Sequence, residues 1–221
     1  MNNDEKIAWL DSVDEEVESC HAILLKLITL AKDKSPYIRS KVARLLVDYV
    51  CEEAMNALLL LLDDKNYMVR TESADSLSYF PYHNVLTVLK RVAENDKHYL
   101  VRGYAISSIA LISKHLDIIS EELKLFFETR SRSENRIFCK LNCYFGLYVL
   151  GEIKYLDSII AVLKSKNYLN RCAAMNVLTE ILDDNNSSIL IDTVQRLLPN
   201  EKSNAVKDMM DNFLKENINE K

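Results

Sequence analysis

The hexapeptide KNYMVR at positions 65–70 returns as KNYLNR at 166–171, and fainter copies of the same phrase lie before and between them. Aligned on the arginine that closes each copy, the phrases end at Arg39, Arg70, Arg102, Arg136 and Arg171, with Lys207 in the same place in a sixth. The intervals are 31, 32, 34, 35 and 36 residues. An apolar residue follows seven positions on (Leu46, Leu77, Ile109, Cys143, Leu178, Leu214), and a small one three or four positions on (Ala43, Ala74, Ala105, Cys139, Ala174). A chain with this period is a series of one supersecondary unit, each copy burying its apolar face on the next.

Each period holds two helical patterns. EEAMNALLLLL, NVLTVLKRVAE, SEELKLFFETR, YLDSIIAVLKS and SSILIDTVQRLL are the first helices, and the second helices begin near the aligned arginines. Three glycines and three prolines in 221 residues leave too few turn residues for a sandwich or barrel, so the class is all-α. Ser35 followed by Pro36 reads as a capping side chain and a ring at the first helical position. Ser12 with Glu15 reads as a capping box opening a helix to about residue 32. Its apolar seam is Val13, Val17, Cys20, Leu24, Leu27 and Ala31, expected to pack on the first repeat.

A turn aspartate, then apolar-Arg, then Ala and Leu recurs as Asp33, Ile38, Arg39, Ala43, Leu46, as Asp64, Val69, Arg70, Ala74, Leu77, and as Asp96, Val101, Arg102, Ala105, Ile109. In these residues the chain resembles HEAT-repeat proteins over 33 to about 216, particularly the short bacterial HEAT-like units. The resemblance implies a right-handed α-solenoid of stacked antiparallel helix pairs: N-terminal capping helices over 1–32, five to six repeats over 33–216, and a tail over 217–221. A cation in the first turns of a helix faces the positive end of its dipole. The recurrent arginine therefore calls for a carboxylate in its own or the neighbouring turn, and Asp33, Arg39, Asp64, Arg70, Asp96 and Arg102 are read as a structural ladder. The fourth and fifth copies carry Arg130 and Ser165 where the aspartate belongs, so the ladder is expected to weaken or be rewired there.

Composition narrows the function. Residues 1–20 hold seven acids and one base, contributing -6 of the formal -5, so the repeat body is near neutral. A general nucleic-acid binder would carry a basic excess, and nucleic acid is not the expected partner. Five cysteines with no paired framework suit reduced thiols in the cytosol. The acidic N-terminus has no secretory pattern, and the longest aliphatic run, LLLLL at 58–62, is too short to span a bilayer. A cytoplasmic location away from membranes is the expectation.

No sequence motif carries chemistry. Cys139 and Cys143 lie one helical turn apart, but no histidine is near them in sequence, and they read as small core residues. Phosphate loops, H-E-x-x-H and G-x-S-x-G are absent. No catalytic residue, metal or cofactor is expected. In TRSRSENR, Arg130, Arg132 and Arg136 surround two serines. They could hold an anion; alternatively Arg130 closes one helix while Ser133 caps the next. The following helix carries Phe138, Leu141, Phe145 and Tyr148 beside its core stripe. These belong either to the packing of a central helix or to a groove that receives a partner. Residues 130–148 are the candidate partner surface.

The resemblance implies that the concave face of such a stack holds another macromolecule. A non-catalytic protein-binding scaffold follows, with a partner of basic character to match the acidic N-terminus; an immunity or adaptor protein is one concrete version. Two enzymatic alternatives come from the same resemblance. HEAT-like DNA glycosylases use a basic, Trp-lined groove, whereas the one tryptophan here is Trp9, outside the repeats. Bilin lyases built on similar short units need a tetrapyrrole-sized cleft.

Overall fold

The computed structural model describes residues 1–15 and 20–218, and within them every regular element is helical. Two compact units divide at 119/120. The first holds α1 (Asn3–Glu15), α2 (His21–Leu30), α3 (Pro36–Leu45), α4 (Glu52–Leu61), α5 (Tyr67–Ser76), α6 (His83–Asn95) and α7 (Tyr99–His115). The second holds α8 (Glu121–Ser133), α9 (Ile137–Val149), α10 (Leu156–Val162), α11 (Tyr168–Ile181), α12 (Ser187–Leu197) and α13 (Asn204–Ile218).

The period read from the sequence is the packing period. In the first unit α3, α5 and α7 pack directly on one another, with α2, α4 and α6 on their outer side and α1 against α3. In the second unit α9, α11 and α13 stack in the same way, backed by α8, α10 and α12. Ile38, Val69 and Val101, each preceding its arginine, are fully buried, as are Ala43, Ala74, Ala105, Cys139 and Ala174. Small side chains there let successive helices approach closely. Leu46, Leu77, Ile109, Cys143 and Leu178 complete the buried stripe, and in α13 Val206, Met210 and Phe213 take it over while Leu214 is half-buried.

Several helix ends differ from their sequence reading. Ser12 lies inside α1, where its hydroxyl donates to the Trp9 carbonyl. The capping box is instead Asn2 and Glu5: Asn2 Oδ1 accepts the Glu5 N–H at 2.9 Å, and Glu5 Oε2 accepts the Asn2 N–H at 3.0 Å. α1 and α2 are separate helices, the second opening after Cys20 in extended conformation. Of the seam, Val13, Leu24 and Leu27 are buried, Cys20 is exposed, and Val17 lies outside the described residues. Ser35 does hold the N-cap position, but its side chain makes no capping bond. Ser133 closes α8, its hydroxyl donating to the Arg130 carbonyl, and Arg136 stands at the N-cap of α9.

The end of α9 is set by Gly151 at φ 90°, a conformation that favours glycine. Its N–H reaches the Tyr148 carbonyl at 2.9 Å, and the Glu152 N–H reaches the Leu147 carbonyl at 3.0 Å, the paired closure of a Schellman turn.

Candidate functional site

The recurrent arginine turns its head out of its own helix and joins two turns at once. Arg39 Nη1 donates to the carbonyls of Asp33 and Lys34, at 2.7 and 3.1 Å, where α2 has just ended. Its Nε and Nη2 form a two-point fork on the Asp64 carboxylate, at 2.6 and 2.8 Å, in the turn of the next repeat. Arg70 repeats the scheme with the Asp64 carbonyl at 2.8 Å and the Asp96 carboxylate at 2.7 and 3.0 Å. Arg102 reaches the Asp96 and Lys97 carbonyls at 2.9 and 3.2 Å. The guanidinium thereby avoids the positive end of its own helix and meets carbonyls at the negative end of another.

Each turn carboxylate is also held by its own turn. Asp33, Asp64 and Asp96 accept the backbone N–H two residues on, from Ser35, Asn66 and His98, at 2.8, 2.8 and 2.7 Å. Burial pushes the Asp64 and Asp96 carboxyls up, but the arginine fork and the backbone donor together hold both below the ordinary value. Asp33 is lowered chiefly by its hydrogen bond from Lys6 at 2.6 Å.

Because the carboxylate fork reaches the following turn, Ser165 stands where a carboxylate for Arg136 would, whereas the fork of Arg171 falls on the turn before α13. Arg171 holds the Glu201 carboxylate at 2.8 and 2.6 Å, while its Nη1 donates to the Ser165 and Lys166 carbonyls. The ladder is expected from the sequence to weaken or be rewired here; at Arg171 the fork is kept, with Glu201 in the place of an aspartate. Glu201 stands six residues before Lys207, where Asp33, Asp64 and Asp96 stand before their arginines, and that spacing was the overlooked signal.

Residues 130–148 divide. α9 packs against α8, α10 and α11, and Leu141 and Phe145 are enclosed there, so those two are core and are not offered to a partner. Phe127 lies over Gly146, where an added Cβ would press on the ring and force it to shift. Phe138 and Tyr148 are half-buried, and the Tyr148 hydroxyl accepts a hydrogen bond from Asn186 Nδ2 at 2.9 Å. Arg130 pairs with the buried Glu134, Arg132 is exposed and pairs with Glu128 at 3.0 Å, and Arg136 is exposed.

In the first unit the same register is largely exposed along α3 and α5 and half-buried along α7. Counting two before and two, five and nine after the aligned arginine gives Glu134 at the end of α8 and Phe138, Leu141 and Phe145 on α9. The corresponding rows are Tyr37, Lys41, Arg44 and Asp48 starting on α3, and Met68, Glu72, Asp75 and Tyr79 starting on α5. On α7 the row is Leu100, Tyr104, Ser107 and Leu111. Tyr37, Met68 and Tyr79 are 56, 55 and 61 % exposed. Between α3 and α5 runs a cleft of ≈ 360 Å³ lined by Pro36, Tyr37, Lys41, Arg44, Met68 and Glu72.

The charges on this face are unevenly matched. Lys41 pairs with Asp11. Glu72 and Asp75, one turn apart, have no ion-pair partner among the described residues, although the charge of Arg44 acts on Glu72. Asp75 is solvent-accessible, yet crowding by surrounding protein and then repulsion from Glu72 push its carboxyl up to about 6. Desolvation raises the Glu72 carboxyl too. Tyr104 stands on α7 at the register position of Glu72 on α5, and those helices pack together; after desolvation, the charges of Asp75 and Glu72 raise its hydroxyl. Sequence reading missed this patch, although the register that exposes it was available from the aligned arginines.

Among the described residues no group of three or more His, Cys, Asp or Glu side chains is placed to hold a metal ion. All five cysteines are free thiols, Cys139 and Cys143 are buried, and burial raises the Cys143 thiol well above its ordinary value. No helix among the described residues is long and apolar enough to cross a membrane.

Residues 24–110 match the family model for HEAT repeats. The chain is all-α and built of HEAT-like helical repeats. Among solved structures it is similar to YibA of E. coli, at 21% identity and a TM-score of 0.56, covering 93% of this chain and 72% of that one. It is also similar to the complex of CpcE and CpcF of phycocyanin lyase from Nostoc sp. PCC7120, at 15% identity and a TM-score of 0.50, covering 91% and 96%. At these identities the likeness is one of fold. No curated protein matches the sequence.

Proposed function

We propose that this protein is a non-catalytic binding scaffold whose partner is another protein of basic character, as an immunity or adaptor protein would require. The observation that supports this reading is the open face of α3, α5 and α7. It presents Tyr37, Met68 and Tyr79 to solvent beside an acidic pair, in the register that α9 buries. Exposed aromatic and methionine side chains at a polar rim are the usual anchors of protein interfaces. A near-neutral repeat body disfavours a phosphate backbone. The likeness to the phycocyanin-lyase complex extends to the fold; a lyase and a DNA glycosylase are the alternatives, and the test addresses the second.

The test compares wild-type protein with the double variant Tyr37→Ala/Met68→Ala, each immobilised and exposed to extract of the cells that make the protein, beside a duplex-DNA titration at low salt. A protein held in stoichiometric amount by the wild type and lost by the variant, with no retention of DNA, is the expected result. Firm DNA binding with no protein partner would overturn the reading.

A further inference from the structure

We infer that the cleft between α2 and α4, on the outer side of the first unit, binds a free single-chain amphiphile, an unbranched aliphatic tail with an anionic head. This goes beyond the scaffold reading and does not depend on it. The cleft has a volume of ≈ 820 Å³, within the range of small-molecule sites. It opens because α2 and α4 touch along a shorter front than α3 and α5 beneath them. Its walls are Leu25, Ile28 and Ala31 on one side and Ala57, Leu60 and Leu61 on the other. Leu25 and Leu60 are 51 and 72 % exposed, so aliphatic surface on both walls is left to water. The lining holds no aromatic ring, which suits a saturated chain better than a planar one that needs a stacking surface.

The charged groups lie at the ends of this trough, and their matching leaves one sign over. At the end where α2 and α4 close stand Lys32, Asp33, Arg39, Asp64 and Lys65. Asp33 is taken by Lys6, and Asp64 by the fork from Arg39. Lys32 and Lys65 are exposed and have no ion-pair partner among the described residues. The remaining acid, Glu53, belongs to the first turn of α4 at the opposite end, where the helix dipole favours it. Two ammonium groups are thus unmatched at one end of an aliphatic cleft. From Leu25 to Lys32 the chain advances by about 10 Å at the helical rise, which accommodates the tail of a medium-chain acid. A head between Lys32 and Lys65 gains charge-assisted hydrogen bonds while the tail removes Leu25 and Leu60 from water.

The probes are decanoate, decylamine with the same tail and the opposite charge, and butyrate with the same head and a short tail. Each is titrated into the full-length protein by calorimetry, below the concentration at which it aggregates. Decanoate is expected to saturate a single site, with decylamine and butyrate weaker by about tenfold or more, as loss of a charge-assisted contact or of apolar burial requires. The chain carries a formal charge of -5, so non-specific attraction would favour decylamine, and a preference for decanoate reports the lysine pair. Lys32→Gln/Lys65→Gln should weaken decanoate by about tenfold. Leu60→Asp, which sets a like charge on the wall, should abolish binding. Leu125→Asp, on α8 and 63 % exposed, should leave it unchanged. All four positions are exposed, where substitution rarely disturbs folding. No saturable decanoate binding, equal affinity for decylamine, or unchanged affinity in Leu60→Asp would overturn the inference. So would retention on anionic phospholipid vesicles without binding of free decanoate, which would make the cleft part of a membrane-contacting surface.

Discussion

Arg171 and Glu201, thirty residues apart in the chain, meet through a two-point fork in which both side chains are nearly shielded from solvent. The fork ties the turn after α10 to the turn before α13, as Arg39 with Asp64 and Arg70 with Asp96 tie turns in the first unit. Geometry of this kind makes the pair a structural fastening rather than a surface ion pair.

Arg70→Ala should lower unfolding stability by about 1–3 kcal/mol, the range for losing a hydrogen bond to a charged group that is left behind. Arg70→Lys should restore only part, because an ammonium cannot form the planar fork. Urea denaturation of the two variants checks this. A melting point unchanged in Arg70→Ala would contradict the ladder.

Glu201 gives the ladder a pH signature. The hydrogen bond from Arg171, aided by the N–H groups of Ser203 and Lys202, draws its carboxyl from 4.5 to about 2 in the folded state. A lowered folded value stabilises the native state above the unfolded value. That contribution is therefore intact above about 4.5 and lost as pH falls toward about 2. Glu201→Gln should remove this part of the acid dependence, measured by denaturation at pH 3 and pH 6.

Asp75 works in the opposite direction. Its folded value, about 6 against 3.8, means the native state binds the proton more tightly than the unfolded chain. Stability should fall as pH rises from about 4 to about 6 through this group. Asp75→Asn should abolish that slope and raise the denaturation midpoint at pH 7. A midpoint lowered by Asp75→Asn at pH 7 would show that the carboxylate has a stabilising partner.

Gly146→Ala places a methyl group inside the contact distance of the Phe127 ring, and Phe127 is fully buried. Although alanine is the better helix former, overpacking should dominate and cost about 1–3 kcal/mol. Thermal unfolding of Gly146→Ala, with Phe127→Leu/Gly146→Ala as the relieving double variant, tests which effect wins.

These residues also show why part of the molecule was legible in its sequence and part was not. The arginine and its aspartate are rigid requirements repeated at a fixed interval, so their period exposed the helix pairs, the buried Ala and Leu positions and the ladder. The partner of each arginine lies 25 or more residues away, and a spacing of six within one copy does not say which copy is joined. That is why Ser165 was set against Arg171 and Glu201 was passed over. For the row Phe138, Leu141, Phe145, burial depends on how neighbouring helices pack around α9, which hydrophobicity along one helix does not encode. The Glu72–Asp75 patch is polar in sequence like any solvated face; only the neighbouring helices reveal that its charges are crowded and unmatched.

The central claim, that the α3–α5–α7 face is where a protein partner binds, is tested most directly by photo-crosslinking in the cells that make the protein. p-Benzoylphenylalanine is placed singly at Met68 on that face and at Leu60, 72 % exposed on α4, as the control. The account requires a discrete protein adduct from position 68 and none from position 60. An adduct from position 60 alone, or no protein adduct from position 68, would contradict it.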